Sequence, residues 1–370
     1  MQLTVHSEQL KNAFNKLLSI ADKKSSRPIL SYTLMEAKDN RIYLTGTDLE
    51  VSAKVVVEAH VAQAGIFCIN AKNFFDTLKE LPPVQVELTL NEAENTLKLQ
   101  HRDIHFSFLV YNNAEFPQLA FESKNAEFSM GADDLLNYIN KTSYAISTDE
   151  TRSYLNGIFF QKQDNKLRAV ATDGHRLAML DLPFEQNVEP LKNGVIIPRK
   201  GIAELRRMAE SFPMKDLKFS MDDSFLYING EDTYFLAVRL VAREYPKYQT
   251  VIPNKTTSTV QVNKTEFLDA VKRIKIMANE KTNGVRVTLK SNELVIFAKH
   301  HILGEGIESI PIKFDGKEME IGFNAKYLMD TISTFNDGEV LMELNNVLSP
   351  VVVRSNDLPG YLCIIMPLKL

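Results

Sequence analysis

The chain is short of the residues that usually carry chemistry or crosslinks. Only two of its 370 residues are cysteine. Cys68 and Cys363 both sit in apolar, strand-like settings, IFCIN and YLCIIM. Two buried free thiols in a reducing compartment fit these settings better than a disulfide framework. No spacing of Cys, His and Asp matches a zinc site, so neither a metal nor a cofactor is expected. The phosphate-cradling GxxxxGKS/T pattern is missing, as are GxGxxG and HExxH. Carboxylates are many but none cluster at a catalytic spacing, which leaves an enzyme reading little to rest on. No apolar run approaches the ~18 residues of a membrane span, so no membrane partner is expected. The chain opens directly in a strand pattern, without the charged and apolar leader of an exported protein, and a cytoplasmic location is expected.

What the chain does have is repetition. QLTVHSEQLKNAFNKLLSI begins at Gln2, EFSMGADDLLNYINKTSYAI at Glu127 and TVQVNKTEFLDAVKRIKIM at Thr259. Each alternates like a short strand, then passes through a polar cap into an amphipathic helix. The copies start 125 and 132 residues apart. That is a domain length, not a solenoid period of ~20–50 residues. A second strand-helix signal lies inside each copy: IFCINAKNFFDTLKEL from Ile66, GVIIPRKGIAELRRMAES from Gly194 and MEIGFNAKYLMDTISTF from Met319. Asn70 and Asn324 suit helix N-caps, and Pro198 suits a first helical turn. Short strands follow every helix. The unit is therefore strand-helix-strands, about 60 residues long, and occurs six times. This predicts an α+β fold of three similar domains, each of two such units, with antiparallel sheets and helices on one face. The expected domains are 1–125, 126–256 and 257–370, with breaks in polar stretches near Ser123–Ala126 and Asn254–Ser258.

Charge is unevenly spread. The net charge is −4, yet the six expected helical segments hold seventeen basic residues against twelve acidic ones. Ordinary solvated helix faces with i,i+4 pairs are one explanation. One basic surface on an acidic body, suited to tracking phosphates, is the other.

ATDGHRLAML, residues Ala171–Leu180, is the sharpest local feature. Asp173 and Gly174 predict a type I′ hairpin turn between two strands. Asp173 and His175 are an acid-base pair on paper, but neighbours across such a turn point apart and no nucleophile accompanies them. The first copy, LTGTDLEVSA, keeps Thr47 and Asp48 but lacks Gly-His-Arg. Only the second domain carries those residues, which favours a specialised surface there. The end of the chain, YLCIIMPLKL, is either a strand that simply stops or a strand whose Met366, Pro367 and Leu368 help form a groove for a partner's apolar side chains.

Together, LTGTDLE at 44–50, SYLNGIFF at 153–160, ATDGHRLA at 171–178, IPRKGIAEL at 197–205, NEK at 279–281, GVR at 284–286, MEIGFNAKYLMD at 319–330 and the terminal MPLKL resemble the signatures of a bacterial replicative sliding clamp, the beta subunit of DNA polymerase III, in order and spacing. The resemblance covers the whole chain. It implies a non-catalytic, head-to-tail homodimer forming a ring, helices inside and sheets outside. Such a ring encircles duplex DNA without regard to sequence and makes the replicative polymerase processive. Its protein partners would be the DNA polymerase III alpha subunit, the clamp loader, other polymerases and repair proteins, bound through short peptide motifs. Twelve helices at ~10 Å spacing close a circle ~38 Å across, leaving ~28 Å inside, enough for B-DNA at about 20 Å. One chain alone would leave ~9 Å on the same packing estimate.

The same resemblance implies the working residues. The partner groove would use Thr172, Gly174, His175, Arg176, Leu177, Pro246, Val251, Asn324, Tyr327 and Leu348, with Met366, Pro367, Leu368, Lys369 and Leu370. Thr250, Thr282, Pro350 and Lys369 depart from the arginine, aromatic, serine and arginine of better-known clamps. DNA contact would fall to Lys24 and Tyr154, with Arg199, Lys200 and Arg207 on the basic helices; Asp149 and Ser153 stand where amide and aromatic groups are usual. The dimer seam would join Phe106 and Phe108 to Ile276 and Met277, while Asp103 and His105 replace the usual basic residues beside it.

Overall fold

Each expected strand-to-helix signal folds as written. The computed structural model of the chain describes residues 1–21 and 27–369, so Lys24 and Leu370 lie outside the described residues. Seven helices occur among the described residues: α1 Ser7–Leu17, α2 Ala71–Glu80, α3 Ala132–Thr142, α4 Glu189–Asn193, α5 Arg199–Ser211, α6 Lys264–Lys275 and α7 Ala325–Ile332. All but the short α4 fall in the six anticipated segments. The caps are the expected ones: Asn70 Oδ1 accepts from the Asn73 N–H at 3.0 Å, and Asn324 Oδ1 accepts from Lys326 and Tyr327 at 2.9 and 3.2 Å. Each bond satisfies a backbone donor that the helix cannot. Pro198 differs from expectation. It closes the strand Val195–Pro198 one residue ahead of α5 instead of entering the first turn.

The chain divides into two compact units, residues 1–136 with 200–240, and residues 137–199 with 241–370. In the first, one thirteen-stranded sheet is continuous through Tyr234–Arg239 and Val51–Glu58, which pair from Tyr234↔Val55 to Val238↔Val51. Strands such as Gln85–Asn91 alternate, burying Val86 and Leu88 and turning polar neighbours out. Over this sheet α1 packs on α2, with the Phe14 and Phe74 rings 5.0 Å apart. In the second unit a nine-stranded sheet joins Arg176–Pro183 to Tyr361–Ile365 through the register Arg176↔Ile365 to Leu180↔Tyr361. A separate four-stranded sheet holds Gly304–Pro311, Glu293–His300, Gly284–Lys290 and Met319–Asn324, and α6 packs on α7. The ladders are antiparallel throughout the described residues, as the α+β reading requires.

The turn at Asp173–Gly174 is not type I′. That turn needs positive φ at both central residues, and here Gly174 has φ +90 while Asp173 is not among the positive-φ residues. Side chains build the corner instead. Asp173 Oδ1 accepts from the His175 and Arg176 N–H groups at 2.9 and 3.0 Å, and Thr172 Oγ1 accepts from Gly174 at 3.1 Å. The first copy repeats this bond for bond. Asp48 Oδ1 accepts from Glu50 and Val51 at 3.0 and 2.7 Å, and Thr47 Oγ1 accepts from Leu49 at 2.9 Å. Leu49 takes φ +75 where the second copy has glycine.

Both cysteines are free and buried, and burial pushes each thiol up to about 12. The folded state therefore holds these protons after an unfolded thiol, near ~8.5, has lost them, so their contribution to stability falls as pH rises above about 8.5. At pH 8 an aromatic disulfide reagent should find no fast-reacting thiol in the native chain and two after denaturation; a rapid native reaction would contradict the burial.

Candidate functional site

In the second unit an apolar pocket of about 300 Å³ opens beside the hairpin of Lys166–Thr172 and Arg176–Pro183. Its walls include Tyr154, Leu155, Leu177, Val251, Ile364 and Met366, with Thr172, Gly174, Arg176 and Pro246 at its edges. The floor is core. Leu177 and Ile364 are register partners across neighbouring strands, and with Tyr248 they belong to a buried cluster around Phe159, Val170 and Met179. The segment carrying Pro246 and Val251 is clamped to that cluster by Tyr245, whose ring stacks on Phe159 at 4.7 Å and 7°. Val251 keeps 40% of its surface exposed, as a wall facing an open hollow must.

The tail beyond Tyr361–Ile365 does not trail into solvent. Met366 donates its N–H to the His175 carbonyl at 2.8 Å, and Leu368 donates to the Gly322 carbonyl at 2.7 Å. Pro367, without an N–H, stands between the two donors. Successive bonds of this kind hold the stretch extended and fix Met366 as a wall.

A second, polar hollow of about 680 Å³ is lined by Arg152, Arg176, Arg199, Lys281 and Lys326, by Asp149, Asp173 and Asp330, and by His175, Asn324 and Tyr327. Arg176 borders both hollows. It is buried, and its guanidinium donates to Asp173 Oδ2 at 3.1 Å, Asp330 Oδ2 at 2.6 Å and the Tyr144 carbonyl at 2.6 Å. The cation also lies 4.5 Å from the Tyr327 ring centre and 5.2 Å from that of Tyr144. His175 stacks on Tyr327 at 6.0 Å, while the Asp173 carboxylate is taken by Arg176 and two backbone amides. These commitments leave no acid-base dyad.

The anticipated groove residues thus divide. Thr172, Gly174, Arg176, Leu177, Pro246, Val251 and Met366 line the apolar pocket. His175, Asn324 and Tyr327 line the polar hollow instead. Leu348 is 73% exposed and stands outside both linings among the described residues. Sequence reasoning passed over Leu155, Lys247, Tyr248 and Ile364. SYLNG and YPKYQTVIP contain three of them, and alternation along YLCIIM turns Ile364 opposite to Cys363.

The expected DNA contacts are more committed than their charge suggests. The 3₁₀ stretch Glu150–Leu155 folds Tyr154 onto the core cluster, as a pocket wall. Arg199 donates to the Ser147 carbonyl, Lys200 pairs with Asp48, and Arg207 pairs with Glu204 at 3.0 Å. Glu204 is only 2% exposed, and burial pushes its carboxyl up despite Arg207 and the Ser19 hydroxyl. Lys16 lies 4.8 Å from the Tyr234 ring centre, and burial pushes its ammonium down. Lys281 falls past the end of α6 rather than on a helix.

Two open strand edges stand out, one in each unit. Ile104–Tyr111 pairs from Ile104 to Leu109 with Thr96–His101 on one side, but on the other pairs only at Val110 and Tyr111. Phe106, Leu109 and Tyr111 are exposed along it, and Phe108 is wedged edge-on to Phe74 at 5.0 Å. In the second unit Gly304–Pro311 is the edge of its sheet, with Ile307 70% exposed and nearby Ile276 68% exposed. Met277 packs by the same strand, its Cγ 3.2 Å from where a Cβ on Gly306 would lie.

Three family models match in succession: DNA polymerase III beta subunit N-terminal domain over residues 1–120, central domain over 129–247 and C-terminal domain over 249–369. Beta sliding clamps of Escherichia coli K12 and Haemophilus influenzae are 30% and 29% identical to the chain, each with complete coverage of both sequences. Among solved structures, a beta sliding clamp from C. crescentus superimposes with a TM-score of 0.96 at 28% identity, covering 100% of this chain and 99% of that one. A sliding clamp from Bartonella birtlesii bound to griselimycin gives 0.95 at 28% identity, with both chains fully covered.

Removing the Arg176 cation would leave the Asp173 carboxylate with backbone amides alone and Asp330 with Lys326 alone, and would leave the Tyr144 carbonyl without its donor. Arg176→Met should lower unfolding stability by about 3 kcal/mol or more. Arg176→Lys should recover only part, since an ammonium cannot supply three donors in a fixed plane. Denaturant titration of the three proteins checks this, and a wild-type midpoint for Arg176→Met would remove the brace from the account.

Proposed function

The chain belongs to the DNA polymerase III beta subunit family, and on that premise we propose how its surfaces serve a sliding clamp. It is a non-catalytic accessory subunit of replication, working as a homodimer that encircles duplex DNA and keeps the polymerase attached. Three domains, 1–125, 126–256 and 257–370, are our reading of the repeat. They differ from the two compact units because sheet pairing continues from strand 234–239 into 51–58 and from 176–183 into 361–365. The site of action is the cytoplasm, where the chromosome and a reducing environment for two free thiols coincide.

One observation carries the partner site: an open apolar pocket floored by Leu177 and Ile364 and walled by a tail that backbone bonds at Met366 and Leu368 hold in place. A pocket of about 300 Å³ suits two apolar side chains of a short peptide, one of them aromatic. The polymerase alpha subunit, the clamp loader and other polymerases and repair proteins would use it in turn, since Met and Leu walls repack around different partners. DNA would be held by diffuse attraction to phosphate through Lys24, Arg199, Lys200 and Arg207, without base readout and with steep salt dependence. Tyr154 serves the pocket in this reading. The seam would bring Phe106 and Phe108 of one copy to Ile276 and Met277 of the next, each beside an open strand edge.

Two outcomes are expected. Ending the chain at Ile365 should abolish binding of a fluorescent peptide with a leading glutamine and two apolar side chains, while the dimer persists. Unchanged affinity would remove the tail from the groove. Ile276→Asp should bury a charge in the seam, and sedimentation should then find the 42.0 kDa chain in place of a dimer twice that mass. A dimer that survives at nanomolar concentration would move the seam elsewhere.

A further inference from the structure

Where strand 234–239 meets 51–58, and where 361–365 meets 176–183, the chain uses one construction twice, and the first is unfinished. At each place a helix lysine lies over a tyrosine that begins a strand. Lys16 of α1 and Lys141 of α3 stand 125 residues apart, the spacing of the first two repeats. Their ammonium groups lie 4.8 and 5.4 Å from the ring centres of Tyr234 and Tyr361. The tyrosines match too: Tyr234 pairs with Val55 and Tyr361 with Leu180, again 125 residues apart. The second construction is closed by hydrogen bonds. Lys141 donates to the Thr334 carbonyl, while the Tyr361 hydroxyl donates to the Lys141 carbonyl at 2.7 Å and lies 2.7 Å from Thr334 Oγ1. The first has none of these. Ser211, which precedes Phe212 as Thr334 precedes Phe335, turns its hydroxyl to the Arg207 carbonyl at 2.8 Å. Tyr234 is only 1% exposed, yet its hydroxyl has no partner, and Lys16 has neither hydrogen bond nor ion pair among the described residues.

A hollow of about 810 Å³ opens there, lined by Lys16 and Tyr234 with Asn12, Asn15, Ser19 and Arg207. A buried hydroxyl without a partner carries its full desolvation cost until something enters to bond it. The hydroxyl can donate or accept, but the ammonium beside it only donates, so a partner shared by both is an acceptor and an anion. Arg207 spends only its Nη1 on Glu204. Glu210 is the one carboxylate in the lining, and it is exposed. We propose that this hollow binds a small phosphate, free or as a monoester, whose oxygens accept from Lys16, the Tyr234 hydroxyl and Arg207. The volume leaves room for the organic part of an ester. A phosphodiester of duplex DNA does not suit it, because the sugars on either side keep its oxygens away from a hydroxyl at 1% exposure. Charge-assisted bonds to the anion would complete here what protein oxygens complete around Lys141 and Tyr361.

The test titrates the full-length chain with inorganic phosphate and with adenosine monophosphate at constant ionic strength, read by calorimetry and phosphorus NMR. Saturable binding at about millimolar concentration is expected. Lys16→Met and Tyr234→Phe should each weaken it about tenfold, the size of one bond to a charged group. Tyr361→Phe, whose hydroxyl is already bonded, should leave it unchanged. In phosphate-free buffer Tyr234→Phe should unfold at the wild-type denaturant midpoint or above, and Tyr361→Phe below it. Tighter binding of the monophosphate identifies the ester as the source, and equal affinities identify the free ion. No saturable binding would overturn the proposal, as would binding that survives both Lys16→Met and Tyr234→Phe. Equal destabilisation by Tyr234→Phe and Tyr361→Phe would mean that the Tyr234 hydroxyl is already satisfied, which overturns it too. So would substitutions that weaken binding of short duplex DNA while neither small phosphate binds.

Discussion

The guanidinium of Arg176 lies between the rings of Tyr144 and Tyr327 and donates to two carboxylates and one carbonyl. Its partners come from the turn at Asp173, the segment after α3 and the helix α7. No apolar side chain could tie these three together, because each presents oxygen. A buried cation is tolerated here because five of its requirements are met at once: two anions, one carbonyl and two ring faces. The turn carrying Gly174 and His175 is held by this contact, the tail is held by the carbonyl of His175, and Met366 takes its place as a wall in consequence. The wall of the apolar pocket is therefore tied to one polar contact, and apolar packing fills in around it.

The same turn occurs in the first copy with the same side-chain bonds from Thr47 and Asp48. There Leu49 replaces glycine and bears a left-handed backbone, and Lys200 rather than a local arginine pairs with the aspartate. The corner recurs because the Thr and Asp side-chain bonds that form it are local to the turn, while Arg176 adds a tether in the second copy alone. Repetition did not preserve the surroundings, because an open pocket needs a residue without a side chain at the rim and an arginine inside to brace it.

Much of this was legible beforehand for a physical reason. Helix starts at Asn70 and Asn324 depend on local chemistry, and so does alternation along strands such as Gln2–His6. Local chemistry is written in consecutive residues. The turn type at Asp173 was misread because side-chain capping competes with the Asp-Gly preference, and only the fold shows which wins. Pairing across long separations was out of reach. Nothing near Glu204 announces that Ser19, 185 residues away in sequence, will bond it, and the charge of Arg199 or Lys200 does not reveal that a carbonyl or carboxylate already claims it. The placement of Tyr154 in a pocket wall has the same cause, since its neighbours in the wall lie many residues away.

The sheets that run on through Tyr234–Val238 against Val51–Val55, and through Arg176–Leu180 against Tyr361–Ile365, have a mechanical meaning. Strands joined side by side carry a pull along their length as shear, with all the rungs of the ladder loaded together, and the covalent chain runs in parallel with them. An open strand edge meeting its counterpart on another molecule has no such covalent backup. On the proposed seam, strain applied to a closed assembly would be relieved where one molecule meets the next, before either sheet parts along these ladders.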